Sequence, residues 1–272
     1  MFMPNNYNNY SPAHLEYLCK AKKRRLMIKL ARILVFLVFL VLWEVSARLE
    51  LIDSFITSTP TRVLGTLYQM AGDGSLYYHT SITVWETTLG FTIGTLGGTL
   101  IAIVLWWSKM ISKILDPYIV VLNSIPKVAL GPLFIVWLGN GTTAIVAMAL
   151  AIAVIVTIMM VYSGFQNVDP NYLKLMQTFG ATKWQTLRKV ILPASVPTII
   201  SALKVNVGMS LVGTIMGEFL VSKAGLGFLI VYGGQVFKMD LIISGVVVLC
   251  LVSVALYYLV TFLEGRMLKW QE

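Results

Sequence analysis

Among the ionisable side chains within long apolar runs of this 272-residue chain are Lys127, Glu218 and Glu86. A charge held at membrane depth is costly, so each is a default candidate for a pathway role. Lys127 follows Pro126 deep in one run, and as a cavity residue it would favour an anionic or strongly polar solute. The other readings are an internal pair or a displaced run boundary. Glu218 falls near the outer end of its run and Glu86 near the outer start of another. Their plain alternative is interfacial placement or pairing, for instance with Lys223. Asn123, Asn206 and Ser210 are uncharged candidates for lining a pathway. Covalent and metal chemistry have little to stand on. The sequence holds no HExxH, no GxSxG, no paired intramembrane aspartates and no GxxxxGK[ST] phosphate loop. Cys19 and Cys250 lack CxxC or histidine partners and read as free thiols. His14 and His79 stand alone, which supports neither a metal nor an acid-base role.

The elements that must hold these residues are set by composition. The chain is 57% hydrophobic and 12% charged, with a mean hydropathy of +0.80. Soluble domains carry roughly 25% charged residues. Six apolar runs approach or reach the ~20 residues a spanning helix needs: about 26–47, 84–107, 115–138, 143–162, 196–221 and 241–263. Pro126 and Pro132 interrupt the third. The expected fold is an all-α membrane protein: a mobile tail over 1–25, then one membrane domain over 26–272. Lys20, Lys22, Lys23, Arg24 and Arg25 precede a first run too long for a cleaved signal, so it reads as an anchor.

The +9 net charge is distributed as membrane orientation demands rather than as a nucleic-acid stripe. With the N-terminus in the cytoplasm, inside segments hold the N-terminal cluster, Lys109, Lys113, Lys174, Lys183, Arg188, Lys189, Arg266 and Lys269. Outside segments hold only Arg48, Arg62, Lys223 and Lys238. Both termini are then cytoplasmic. Outside, Pro60 to Met70 reads as a surface helix. The glycine-rich Ser222–Asp240 segment reads as a partly buried non-helical gate or a re-entrant turn, with an ordinary loop equally open. Gly90, Gly94 and Gly98, and Gly213 with Gly217, have the four-residue spacing of close helix packing. Trp106 and Trp107 fall where an aromatic belt is expected.

Between the fourth and fifth runs lies a polar island, Asn167 to Pro197, well beyond an ordinary helix connection. Asp169 can cap a helix that starts at Pro170. Tyr172, Leu175, Met176 and Phe179 form one apolar stripe, and Gly180 suits a left-handed helix end. A second short helix carries Trp184, Leu187 and Ile191, and Leu192-Pro193 with Pro197 should stop it. The stripe could enter a partner's groove or lie on the membrane surface; pattern alone leaves both open.

The spacing from Gly180 to Val190-Ile-Leu192-Pro193 resembles the cytoplasmic signature of binding-protein-dependent ABC importer permeases: EAA, three residues, Gly, nine residues, Ile, any residue, Leu-Pro. Val190 stands in for Ile. The EAA positions fall on Lys174, Leu175 and Met176, a degeneracy often found in the nitrate/sulfonate/taurine-type subfamily. Leu42-Trp43-Glu44, Leu115-Asp-Pro-Tyr, Ile125-Pro126, Gly131-Pro-Leu-Phe, Trp137-Leu-Gly139-Asn-Gly141, Gly217-Glu218-Phe219 and Gly225-Leu-Gly227 look like the same subfamily.

The resemblance implies a MetI-like permease fold with six spans in the cell's inner or plasma membrane. It implies a second permease copy, as a homodimer, and an external solute-binding protein. It also implies a cytoplasmic ABC ATPase that binds the ATP and Mg, leaving no cofactor in this chain. Residues 167–193 would form the coupling loop, with Asp169, Pro170, Tyr172, Leu175, Met176, Phe179, Gly180, Leu192 and Pro193 carrying the ATPase contact. Nitrate, sulfonates, taurine or vitamin precursors are the implied cargo. The competing readings are a stand-alone channel or secondary transporter, which needs no docking island, and a membrane-embedded enzyme, which needs a nucleophile or metal ligands.

Overall fold

The computed structural model describes residues 12–267, and among them every regular element is helical. Contacts divide the chain into a unit ending at Leu64 and one beginning at Gly65. In the first unit, α1 (Pro12–Arg48) runs through the segment expected to be a mobile tail. Lysine and arginine are good helix formers, so the basic cluster continues the helix rather than breaking it. Residues 1–11 lie outside the described part. From Lys20 to Arg48, α1 is long and apolar enough to span, and its aliphatic side chains are exposed along most of that length. Near its C-terminal end Glu44 accepts from Arg48 Nε at 2.6 Å and from Thr61 Oγ1 at 2.9 Å. That contact ties α1 to the first turn of α3 (Pro60–Gly72), beyond the one-turn α2 (Ser54–Thr57).

The second unit is built on α4 (Ser75–Trp107), α7 (Thr142–Gln166) and α10 (Leu192–Val221), with α7 packed along both others. Without a hydrophobic driving force between helices in lipid, close backbone approach must supply the packing. The glycine repeats do this. A Cβ on Gly90, Gly94 or Gly98 would strike Ala149, Ala153 or Thr157 of α7 in turn. On the other side of α7, a Cβ on Gly213 or Gly217 would strike the backbone of Ala149 or Ile145. Ala149 thus receives a glycine from each neighbour. α4 begins at Ser75, nine residues before the apolar run does, and carries polar Tyr78, His79 and Ser81 in one continuous helix.

The third run is not one straight span. α5 (Lys109–Ser124) ends at Ile125, a short 3-10 turn covers Lys127–Leu130, and α6 (Gly131–Leu138) leaves at 91°. Pro126 forces Ile125 out of the helical region, to φ −66°, ψ 132°. The described residues therefore hold five helices able to span, or six if the bent pair counts as one.

The prolines expected to stop the helix before the fifth run do not stop it. α9 (Lys183–Thr186) passes through a π-turn, Leu187–Ile191, straight into α10. A turn widened to an i→i−5 bond, here Leu192 N to Leu187 O, accommodates the ring of Pro193 that a regular α-turn would meet with a carbonyl. The glycine-rich segment after α10 is also helical, contrary to the non-helical expectation. α11 (Leu226–Gln235) buries Leu226 and Leu229 against Val248 and Val252 of α12 (Met239–Met267). Its glycines lie where neighbours press closest, with Gly233 against Ile242.

Candidate functional site

The island folds as α8 (Pro170–Thr178) followed by α9. Asp169 accepts from Asn171 N at 2.8 Å, capping α8, whose first residue is Pro170. At the other end Gly180 takes φ +64°. Gly180 N bonds to Gln177 O and Ala181 N to Met176 O, each at 3.0 Å, the paired bonds of a Schellman stop. Thr182 and Gln185 then form a reciprocal capping box for α9. Two helices thus meet at a corner whose ends are all satisfied locally.

The corner has two faces. Tyr172, Leu175 and Phe179 are exposed, Phe179 at 76%, and so is Trp184. Met176 is half-buried. The sequence stripe omitted Leu173, which packs inward against a cluster of Val161, Phe165, Val168, Leu187 and Ile191. Leu187 and Ile191 are fully buried; Leu192 and Val190 pack beside them, and Pro193 opens α10. Lys183 Nζ donates to Trp107 O at 2.6 Å, fastening the corner to the end of α4. An exposed apolar patch therefore stands on a foot rooted in the packed trio of helices.

The six polar candidates for a pathway divide in two. At the bend between α5 and α6 Asn123 is exposed and Lys127 half-buried, and Lys127 Nζ donates to Asn123 O at 2.6 Å. The internal partner of Lys127 is a helix-end carbonyl rather than a carboxylate. Asn206, Ser210, Glu218 and Glu86 are buried inside the packing of α4, α7 and α10. Asn206 Nδ2 donates to Thr95 Oγ1 at 3.3 Å and also to Thr157 Oγ1.

Glu218 holds the start of α11. Its Oε2 accepts from Gly227 N at 2.5 Å and its Oε1 from Thr83 Oγ1 at 2.6 Å. Thr83 Oγ1 in turn accepts from Leu226 N at 2.8 Å, and His79 Nδ1 from Gly225 N at 3.0 Å. Three successive amides of α11 are therefore capped by side chains of α4 and α10. A Cβ on Gly225 or Gly227 would collide with Glu218, so the Gly217-Glu218-Phe219 and Gly225-Leu-Gly227 motifs are two halves of one contact. Thr83 escaped the sequence reading, and His79, which stands alone in the sequence, joins it in this cap. Their signal was the four-residue spacing that puts both on one face of α4. Glu86 borders a cavity of about 830 Å³ with Lys223, Trp85, Asn140 and Thr142. Among the described residues no ion pair joins Lys223 to Glu86 or Glu218.

A trio of close-packed, span-length helices with a rooted corner defines an all-helical membrane protein. Residues 94–269 match the family model described as the binding-protein-dependent transport system inner membrane component, and the chain belongs to that family. It is 31% identical to a probable ABC transporter permease protein of Haemophilus influenzae, over 84% of this chain and 93% of that one. It is 26% identical to the putative aliphatic sulfonates transport permease of Bacillus subtilis, over 86% and 85%. The taurine transport system permease of Escherichia coli is 28% identical, over 86% of each. Among solved structures, a bacterial ABC transporter involved in import of the acidic polysaccharide alginate superposes with a TM-score of 0.64 at 16% identity, covering 93% of this chain and all of that one. The inward-facing MetNI methionine ABC transporter gives 0.57 at 21%, covering 68% and 93%. The chain is thus a multi-pass permease component of an ABC importer with the MetI-type fold, and the ATPase is a separate subunit.

Proposed function

We propose that this permease moves a small anionic or polar solute, of the sulfonate, taurine or nitrate kind, received from an external binding protein. Two copies would face each other across the bend of α5 and α6, whose residues are mostly exposed in the single chain. Lys127 and Asn123 would line the path between them, while Asn206, Ser210, Glu86 and Glu218 hold helices together behind it. The N- and C-termini would lie in the cytoplasm with the island, and no cofactor would reside in this chain. ATP closing the ATPase dimer would push on Tyr172, Leu175 and Phe179, and the rigid corner would carry that push into α10. The observation that carries this reading is the exposed apolar patch on a corner rooted by buried Leu187 and Ile191.

The test is co-purification with the ATPase subunit. Phe179→Ala, changing an exposed side chain, should leave the melting temperature within what ~0.5 kcal/mol produces. ATPase recovery should nevertheless fall at least several-fold. Full recovery with unimpaired uptake would remove the corner from the mechanism. For the solute, thermal-shift screening of the cognate binding protein against small anions and heterocycles decides the class.

A further inference from the structure

We propose that the pocket between the end of α4, the start of α5 and α8 binds the phosphate of an anionic phospholipid headgroup, and that this lipid braces the coupling corner. The proposal rests on the cytoplasmic placement of the corner. The cavity measures about 560 Å³ and is bordered by Trp106, Trp107, Lys109, Lys183, Gln177 and Thr186. Two cations face it, and among the described residues neither has a carboxylate partner. Lys183 spends one donor on Trp107 O, which fixes the ammonium at the mouth and leaves further donors. The Thr186 hydroxyl is spent on Thr182 O, but Gln177 adds amide donors beside the two ammonium groups, a set that suits a phosphate.

The position favours lipid over a protein carboxylate. The pocket opens where a candidate span ends in two tryptophans, the depth at which headgroups lie. α8 turns Leu173 and Gln177 toward it, whereas Tyr172, Leu175 and Phe179 occupy the opposite side of the helix, as the 100° step between residues requires. A partner seated on the exposed patch thus leaves the pocket free. Basic pockets between spanning helices on the cytoplasmic side are a recurrent way of holding anionic headgroups. A phosphate shared between Lys109 and Lys183 would join α5 to the corner across a gap that protein atoms leave open.

The experiment uses the whole complex in nanodiscs of phosphatidylcholine with increasing phosphatidylglycerol. Lipid retained through native mass spectrometry and binding-protein-stimulated ATP hydrolysis are both recorded. Phosphatidylglycerol should be retained and should raise the stimulated rate. Lys109→Gln should weaken retention about five-fold, the worth of one lysine near an anionic surface, and shift the rate titration to higher lipid. In pure phosphatidylcholine, Lys109→Gln and the unaltered complex should hydrolyse ATP alike. Identical lipid titrations would overturn the proposal. So would millimolar inorganic phosphate reproducing the whole effect in phosphatidylcholine, which would make the source a free anion. Loss of the ATPase subunit from Lys109→Gln would assign the pocket to a protein carboxylate instead. A failed lipid titration with the ATPase still bound leaves the coupling reading standing, so the two failures are distinct.

Discussion

Thr83 is the residue on which the start of α11 turns. Its hydroxyl donates to Glu218 and accepts from Leu226 N, with no exposure of its own. Thr83→Val keeps the volume and removes both bonds, leaving a buried carboxyl oxygen and a buried amide unpaired. Each costs about 1–3 kcal/mol. The expected result is a clear fall in melting temperature, restored by Thr83→Ser, which keeps the hydroxyl. If Thr83→Val melts with the unaltered protein, Glu218 does not hold α11 in the way described. Sequence alone pointed at Glu218 because a carboxylate in an apolar run stands out. It could not name Thr83, since a threonine in a spanning helix carries no comparable signal. Asn206 teaches the complementary lesson. A polar residue in a span reads as a pathway candidate, yet its hydroxyl partners on α4 and α7 come from 111 and 49 residues away and are invisible along the chain.

At the scale of elements, period and composition fixed the spanning helices and the class of fold, because twenty apolar residues have few other destinies. Breaks were harder. Pro126 bends its run by 91°, while Pro193 and Pro197 sit inside a continuous helix. Pro126 follows an extended Ile125 and Pro193 a π-turn, and a π-turn has no sequence period of its own; nothing in the structure explains why Pro197 leaves the helix unbroken. The glycine repeats were more legible, since their spacing is the contact. Gly94 and Gly97 lie within one turn of α4 but differ in surroundings. A Cβ at Gly94 meets Ala153, whereas one at Gly97 meets nothing. Gly94→Ala should therefore force α4 off α7 and cost about 1–3 kcal/mol. Gly97→Ala should be neutral or stabilise by up to ~1 kcal/mol through backbone entropy. Equal melting temperatures for the two variants would refute the packing account.

For the whole molecule, the proposed coupling needs a route from the exposed corner to the solute. The fully buried Leu187 and Ile191 link the corner to α7, and the unbroken helix from Lys183 to Val221 carries displacement along one rigid body. That same body ends at Glu218, which grips α11. On the proposed coupling, a tilt of α10 at its foot would move α11 as well, so the two ends would not act independently. Lys127 stands apart from this lever, half-buried at the bend and bonded only to Asn123 among the described residues. Its charge can be altered without loosening the packing. Lys127→Met should leave ATPase recovery unchanged and shift stability by no more than ~0.5 kcal/mol, yet sharply reduce uptake of an anionic solute. Lys127→Arg should retain most of it, because the positive charge and not the ammonium itself is what a passing anion meets. Undiminished uptake by Lys127→Met would take the bend out of the path and leave the solute's charge to be explained by the binding protein alone.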